Sequence, residues 1–193
     1  RSGIARRMLR LTLWELFEAR LMQTDPNWGN FFYEPEADAL GLLDFGAAKE
    51  FPPAFVDDYL RLVWAAAARD EDAIVEASCR MGFFTGHENA SMVRAHVNSG
   101  LVIGEPFAQT EAYDFKAARK LAGAYLLCIR MGAKFPCRDL LERTVEAHTF
   151  TTKPLEGLSA REALDRKAAG DLPDTQEEAR TQSDAHDSAA AEL

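Results

Sequence analysis

Asp25 and Asn30 stand five positions apart, and Asp44 follows fourteen positions after Asn30. Two short runs of strand-forming residues lie between the last two: Phe31-Phe32-Tyr33 and Leu40-Gly41-Leu42-Leu43, separated by Glu34-Pro35-Glu36-Ala37-Asp38. The proline and the acidic residues around it mark a turn, so the two runs predict an antiparallel hairpin. Antiparallel pairing returns the chain to its starting end, which sets Asn30 beside Asp44. A plainer reading fits the same residues. In it Asp25 caps a turn with Pro26 and Asn27, Asn30 starts a strand, and Asp44-Phe45-Gly46 closes the hairpin.

The residue types bear on that choice. Magnesium is a hard cation that takes oxygen ligands, commonly one or two carboxylates together with phosphate oxygens and water. One further carboxylate must stay off the metal to orient the attacking group. Asp, then Asn, then an Asp followed by Phe-Gly is the order found in the metal-and-base half of kinase-like phosphoryl-transfer sites. Asp25 is therefore the candidate catalytic residue, and Asn30 and Asp44 are the candidate metal ligands.

The rest of the sequence narrows the function classes. Of 193 residues, 47% are apolar, enough for one cored domain, and the formal net charge is -9. From Leu155 onward ten acidic side chains stand against four basic ones, so most of that acidity belongs to the tail. No basic stripe interleaved with aromatics appears, and nucleic acid is not an expected partner. Cys79, Cys128 and Cys137 are far apart and form no CxxC pair; each is expected as a small buried apolar residue in a reducing compartment. The four histidines lack zinc-ligand spacing. No apolar run reaches the length of a membrane span.

Apolar periodicity predicts an amphipathic helix over residues 4–22. After Lys49 the pattern is helical almost throughout. Helices are expected from Pro52-Pro53 to about Arg69, from an Asp70 cap to Met81, over 89–103, over 114–132 and over 136–148. The alanines at 65–68 suit a helix-packing surface, and Leu60, Val63 and Trp64 read as core. Beyond Leu155 large apolar residues are scarce, which predicts a mostly disordered acidic tail over 151–193 and a folded domain over 1–150. The expected fold class is mainly α with a small β-hairpin.

The run LRLTLWELFEARLMQTDPNWGNFFY followed by LLDFGAAKEF resembles the UbiB family of atypical kinases, also called aarF-domain-containing kinases. It is most similar to the mitochondrial branch that supports coenzyme Q (ubiquinone) biosynthesis. MGFFTGHE at 81–88, VIGEPF at 102–107 and KLAGAYLLCIRMGAKFPCRDLLE at 120–142 extend the likeness over roughly positions 4–150. The resemblance implies the C-terminal lobe of a protein-kinase-like fold, ATP and Mg2+ as cofactors, and ATPase activity ahead of protein phosphorylation. It implies coenzyme Q biosynthetic proteins as partners, a mitochondrial location on the matrix side of the inner membrane, and an open question of contact with membrane lipid or a quinone precursor. Asp25 takes the catalytic-loop Asp position, and Asn30 and Asp44 take the two metal-ligand positions. Phe45 is expected to pack the turn and Gly46 to permit its backbone. Gln23-Thr24 stands where conventional protein kinases carry His-Arg.

The chain also departs from that family. No nucleotide-covering loop, phosphate-contacting Lys or KxGQ motif is present, and a helical stretch usual between Phe115 and Lys120 is missing. The sequence thus reads as a piece holding the magnesium half of an ATP site, inactive by itself. Two alternatives stand beside this one. A catalytically incomplete fragment could serve as a non-catalytic interaction module in a lipid-biosynthetic complex. A small-molecule kinase of the aminoglycoside or choline type shares the Asp-x4-Asn logic, though its usual His two residues before the catalytic Asp is Gln23 here.

Overall fold

The computed structural model describes residues 2–25, 28–116 and 125–175. Helix α1, Ser2–Trp14, turns Ala5, Met8, Leu9 and Leu13 inward as one stripe. It does not run on to residue 22 as its periodicity predicts. Residues 15–19 widen into a π-helical turn, and Arg20 enters the left-handed region at φ 55°, its N–H meeting the Glu15 carbonyl. Leu21 and Met22 then belong to strand β1, Leu21–Gln23. Leu16 and Phe17 still reach the core and Met22 packs against it, whereas Leu21 is exposed. A period count cannot register that change of backbone.

The expected hairpin forms from β2, Phe31–Glu34, and β3, Ala39–Leu42, with Phe31 opposite Leu42 and Glu34 opposite Ala39. A further strand, β4 at Ala48–Glu50, pairs antiparallel with β1, setting Gln23 opposite Ala48. Pro52 and Pro53 open α2, Pro53–Ala68, which ends at Arg69 with φ 60°. The Asp70 side chain accepts from Ala73 N to start α3, Glu71–Arg80, and Asn89 accepts from Met92 N to start α4, Ala90–Gly104. A Cβ on Gly104 would lie 2.4 Å from the Ala66 carbonyl carbon. The alanine run is therefore the surface on which the α2 and α4 backbones meet. Leu60 and Val63 are core residues, as expected, and all three cysteines are buried. Burial pushes each thiol up to about 12, so none is a ready thiolate.

A helix over 114–132 is corrected at its start. Tyr113–Asp114 is a short strand, β5, pairing with β6 at Lys134–Phe135. Helix α5 covers only Leu126–Arg130, and α6 covers Arg138–Ala147. The proposed missing stretch near Phe115 to Lys120 falls largely outside the described residues.

The disordered tail is corrected over 155–175. Ser159 and Glu162 form a reciprocal capping box that starts α7, Ala160–Ala169. Ala163 and Leu172 are buried with Ile74, Val75, Phe84 and Val97 in a second core between α3, α4 and α7. The Glu76 carboxylate, itself buried, accepts from three successive backbone N–H groups at Glu156, Gly157 and Leu158. Gly157 supplies the positive φ, 74°, that this nest requires. Composition missed the segment because a few well-placed apolar anchors and a distant carboxylate hold it, where a window average sees only polarity. Residues 176–193 lie outside the described residues.

A strap over 148–154 crosses the larger core of Leu9, Phe17, Leu60, Phe107, Phe115 and Leu141. His148 bridges the Phe17 carbonyl and Asp57 Oδ1, both at 2.8 Å. Asp57 Oδ2 accepts from the N–H and hydroxyl of Thr151 and of Thr152. Burial alone would raise the Asp57 carboxyl, but hydrogen bonds from His148, Thr152 and Thr151 outweigh it and hold the group below its ordinary value. A depressed folded-state pKa contributes stability that is fully present above the ordinary carboxylate range and is lost as pH falls through the folded value. Asp57→Asn should therefore flatten the acid limb of the stability–pH profile and lower stability at pH 7, as read by urea titrations between pH 3 and 7. No helix among the described residues is long and apolar enough to cross a membrane.

Candidate functional site

Between Thr24 and Glu50 no described residue is buried. The site segment therefore lies on the rim of the core, fixed by main-chain pairing more than by packing. β1 ends at Gln23 and delivers Asp25 to the loop that follows. A short 3-10 turn, Trp28–Asn30, precedes β2 and delivers Asn30. β3 ends at Leu42, and Asp44 sits in the link from β3 to β4.

Several hydrogen bonds tie these three positions together. Asn30 Nδ2 donates to Asp25 Oδ2 at 3.1 Å, so the amide oxygen points away from the carboxylate. Leu43 N donates to the Asn30 carbonyl at 2.9 Å, extending the hairpin to its open end. The Asp44 carboxylate accepts from Gly46 N through Oδ1 at 2.8 Å. Asp25 and Asn30 thus meet through side chains, and Asp44 joins them through the backbone beside it.

Gln23 is the functional side chain that the sequence did not single out as such. Its amide is buried, Oε1 accepting from Asp25 N at 3.0 Å and Nε2 donating to the Asp44 carbonyl at 2.6 Å. One amide with a donor at one end and an acceptor at the other links the loop at Asp25 to the turn at Asp44. Thr24 adds a second link, its N–H and hydroxyl both donating to the Ala47 carbonyl. The sequence showed Gln23-Thr24 only as a departure from His-Arg. A side chain able to donate and accept at that place was the available signal.

Two expectations about the turn are corrected. Phe45 does not pack it: the ring is 63% exposed, and Leu43 and Phe32 are exposed beside it, because no core element lies on that side among the described residues. Gly46 is not held at positive φ; a side chain there would instead meet Asp44 Oδ1 at 3.1 Å. Its smallness keeps the carboxylate clear. Trp28 lies in this loop, and its side chain falls outside the described set, as do Pro26 and Asn27. Lys49 is exposed on β4.

The donor set suits a hard cation. Asn30 offers an amide oxygen and Asp44 a carboxylate, both on exposed or half-exposed backbone that phosphate and water can approach. Among the described residues no group of three or more His, Cys, Asp or Glu side chains could hold a metal. A site here would thus take two protein oxygens and leave its other positions to phosphate and water, the manner of magnesium rather than zinc.

Comparison with known proteins bears on the same segment. A family model described as the ABC1 atypical kinase-like domain matches residues 1–78, which contain Asp25, Asn30 and Asp44. The atypical kinase COQ8B, mitochondrial, of Rattus norvegicus is 40% identical over 184 residues, covering 80% of this chain and 35% of that protein. The atypical kinase COQ8, mitochondrial, of Saccharomyces cerevisiae is 35% identical over 173 residues, covering 74% of this chain and 34% of its own length. The Schizosaccharomyces pombe protein of the same name is 34% identical over 171 residues, covering 72% and 28%. The chain spans about a third of the length of the curated relatives it matches. With its order of Asp25, Asn30 and Asp44 and these relatives, the chain belongs to the ABC1, or UbiB/COQ8, family of atypical kinases.

Proposed function

We propose that the chain is the C-terminal lobe of a kinase-like fold and carries the magnesium half of the ATP site of an atypical kinase or ATPase acting in ubiquinone biosynthesis in mitochondria. The observation that carries this reading is the hydrogen-bonded frame joining Asp25, Asn30 and Asp44 through Gln23 and Leu43 N. The mitochondrial and coenzyme Q parts rest on the motif resemblance and on the names of the relatives.

In this reading Asn30 Oδ1 and the Asp44 carboxylate would hold Mg2+. When bound, the ion neutralises charge on the nucleotide phosphates. Asp25 stays off the metal and orients the attacking water or hydroxyl, accepting its proton. The bond from Asn30 Nδ2 fixes the Asp25 carboxylate beside the Asn30 NH2 and leaves the amide oxygen turned away from it. Gly46 N steadies one Asp44 oxygen, and Gln23 keeps the Asp44 main chain from drifting away from Asp25. Each of these is a positioning contribution, and positioning is most of what a phosphoryl-transfer site needs from protein.

A second reading is favoured by one observation: Phe32, Leu43 and Phe45 are exposed together around the turn. Contiguous exposed apolar surface commonly marks a partner face. The chain would then act as a non-catalytic interaction module of a lipid-biosynthetic assembly. Thermal denaturation with and without Mg-ATP separates the two. A ligand held at 100 times its Kd stabilises by about 2.7 kcal/mol, so the site reading expects a clear rise in melting temperature that Asp44→Asn removes. A melting temperature indifferent to Mg-ATP up to millimolar concentration favours the module.

A further inference from the structure

The β2–β3 hairpin is an arm with almost nothing behind it. None of its residues is buried, and beyond the pairing of its own strands no other element packs broadly on it among the described residues. Its base holds Asn30 and leads on to Asp44. Its tip is the turn at 35–38, where Asp38 takes the left-handed conformation at φ 49°. An arm four residues long reaches roughly 13 Å. Held at the base alone, it would sway at its tip and strain the backbone at Asn30 and Asp44.

The tip is not loose. Arg7 of α1 extends both terminal guanidinium nitrogens to Asp38, Nη1 to Oδ1 and Nη2 to Oδ2. The Tyr33 hydroxyl donates to Asp38 Oδ1 at 2.6 Å from the adjacent strand. Hydrogen bonds from Arg7 and then Tyr33 hold the Asp38 carboxyl below its ordinary range. The helix that supplies Arg7 is the one whose far end leads through Arg20 and β1 to Asp25. The contact therefore joins the element that delivers Asp25 to the arm that delivers Asn30 and Asp44.

We propose that Arg7 is a positioning residue whose fork onto Asp38, steadied by Tyr33, fixes the hairpin against α1 and so sets Asn30 relative to Asp25. The proposal deepens the metal-site reading and rests on it for the consequence at Mg2+. The residue types fit. A guanidinium meets a carboxylate through two parallel bonds and so defines an orientation, whereas a lysine ammonium defines only a point. Asp tolerates the left-handed region better than most residues, and its short stem leaves no slack between turn and carboxylate. An exposed ion pair adds little to global stability. Its effect is local, on an arm with no other fixture at that end.

The test compares the full 193-residue chain with Arg7→Ala, Arg7→Lys and Asp38→Asn, the last keeping the turn conformation while removing the charge. Three readouts are taken: the NMR signal of the Asn30 side-chain NH2, amide hydrogen exchange over residues 31–42, and Mn2+ affinity in the presence of ATP by EPR. Arg7→Ala and Asp38→Asn should shift the Asn30 signal toward the free-amide position and speed hairpin exchange by about 3- to 5-fold. Arg7→Lys should restore part of both, with the melting temperature unmoved in all three variants. Mn2+ affinity should fall by a similar factor. An Asn30 signal and hairpin exchange that stay at their wild-type values in Arg7→Ala overturn the proposal. If wild-type chain binds no Mn2+, the metal reading fails, and the Asn30 signal alone then decides for or against the clamp.

Discussion

Asp44→Asn is expected to abolish Mg-dependent ATP hydrolysis in a chimera that sets this chain in place of the matching stretch of the rat relative. The substitution keeps shape and the hydrogen bond that the side-chain oxygen accepts from Gly46 N, and it removes only the negative charge that the proposed divalent ion would use. Loss of an outer partner around a metal typically costs 10- to 100-fold, so loss of a direct ligand should lower turnover by more than about 100-fold. The melting temperature in the absence of nucleotide should stay within a degree or two, because the Asp44 side chain is exposed and the buried Gln23 meets only its main-chain carbonyl. Hydrolysis within a few-fold of the parent chimera, measured by phosphate release at saturating Mg-ATP, would remove Asp44 from the site.

The second large effect concerns the frame. Asp58 is fully buried and pairs with two guanidiniums, Arg61 Nη1 at 2.7 Å and Arg80 Nε at 3.1 Å. Both arginines are themselves at most a tenth exposed. They also reach the strap: Arg61 donates to Thr152, and Arg80 to the carbonyls of Lys153 and Pro154. Asp58→Ala leaves two positive charges in the interior with no counter-charge, a change that costs about 3–5 kcal/mol in comparable pairs. Domains of this size are stable by about 5–15 kcal/mol, so about a fifth of the total or more is at stake. Urea titration should show the midpoint falling steeply, and hydrogen exchange should quicken first at residues 150–158. A variant as stable as the parent would mean that water or a rearranged carboxylate takes over the pairing.

Much of this was readable before any coordinates. Asp70 announced its helix because an N-cap and the amide it receives lie three residues apart in sequence. The hairpin between Asn30 and Asp44 was legible for the same reason: turn and strands are contiguous. What escaped was non-local. β1 and β4 are three-residue strands separated by the whole site, and neither alternates clearly enough to be seen alone. Asp114 lost its expected helix to a two-residue pairing with Lys134. The strap and α7 depend on Asp57 and Glu76, carboxylates that sequence reading assigns to solvent and that the fold buries against partners some eighty to ninety-five residues away, and on Asp58, which reaches the strap through Arg61 and Arg80. Gln23 shows the same limit at the site itself, since an amide looks inert until both of its ends have addresses.

Apart from the buried Gln23, the described residues that frame the candidate chemistry do not bear the weight of the fold, since all from Thr24 to Glu50 lie outside the interior. Substitutions there can silence the reaction and leave an intact body behind. A lineage could therefore shed its enzymology one side chain at a time while keeping whatever surfaces other proteins had learned to hold.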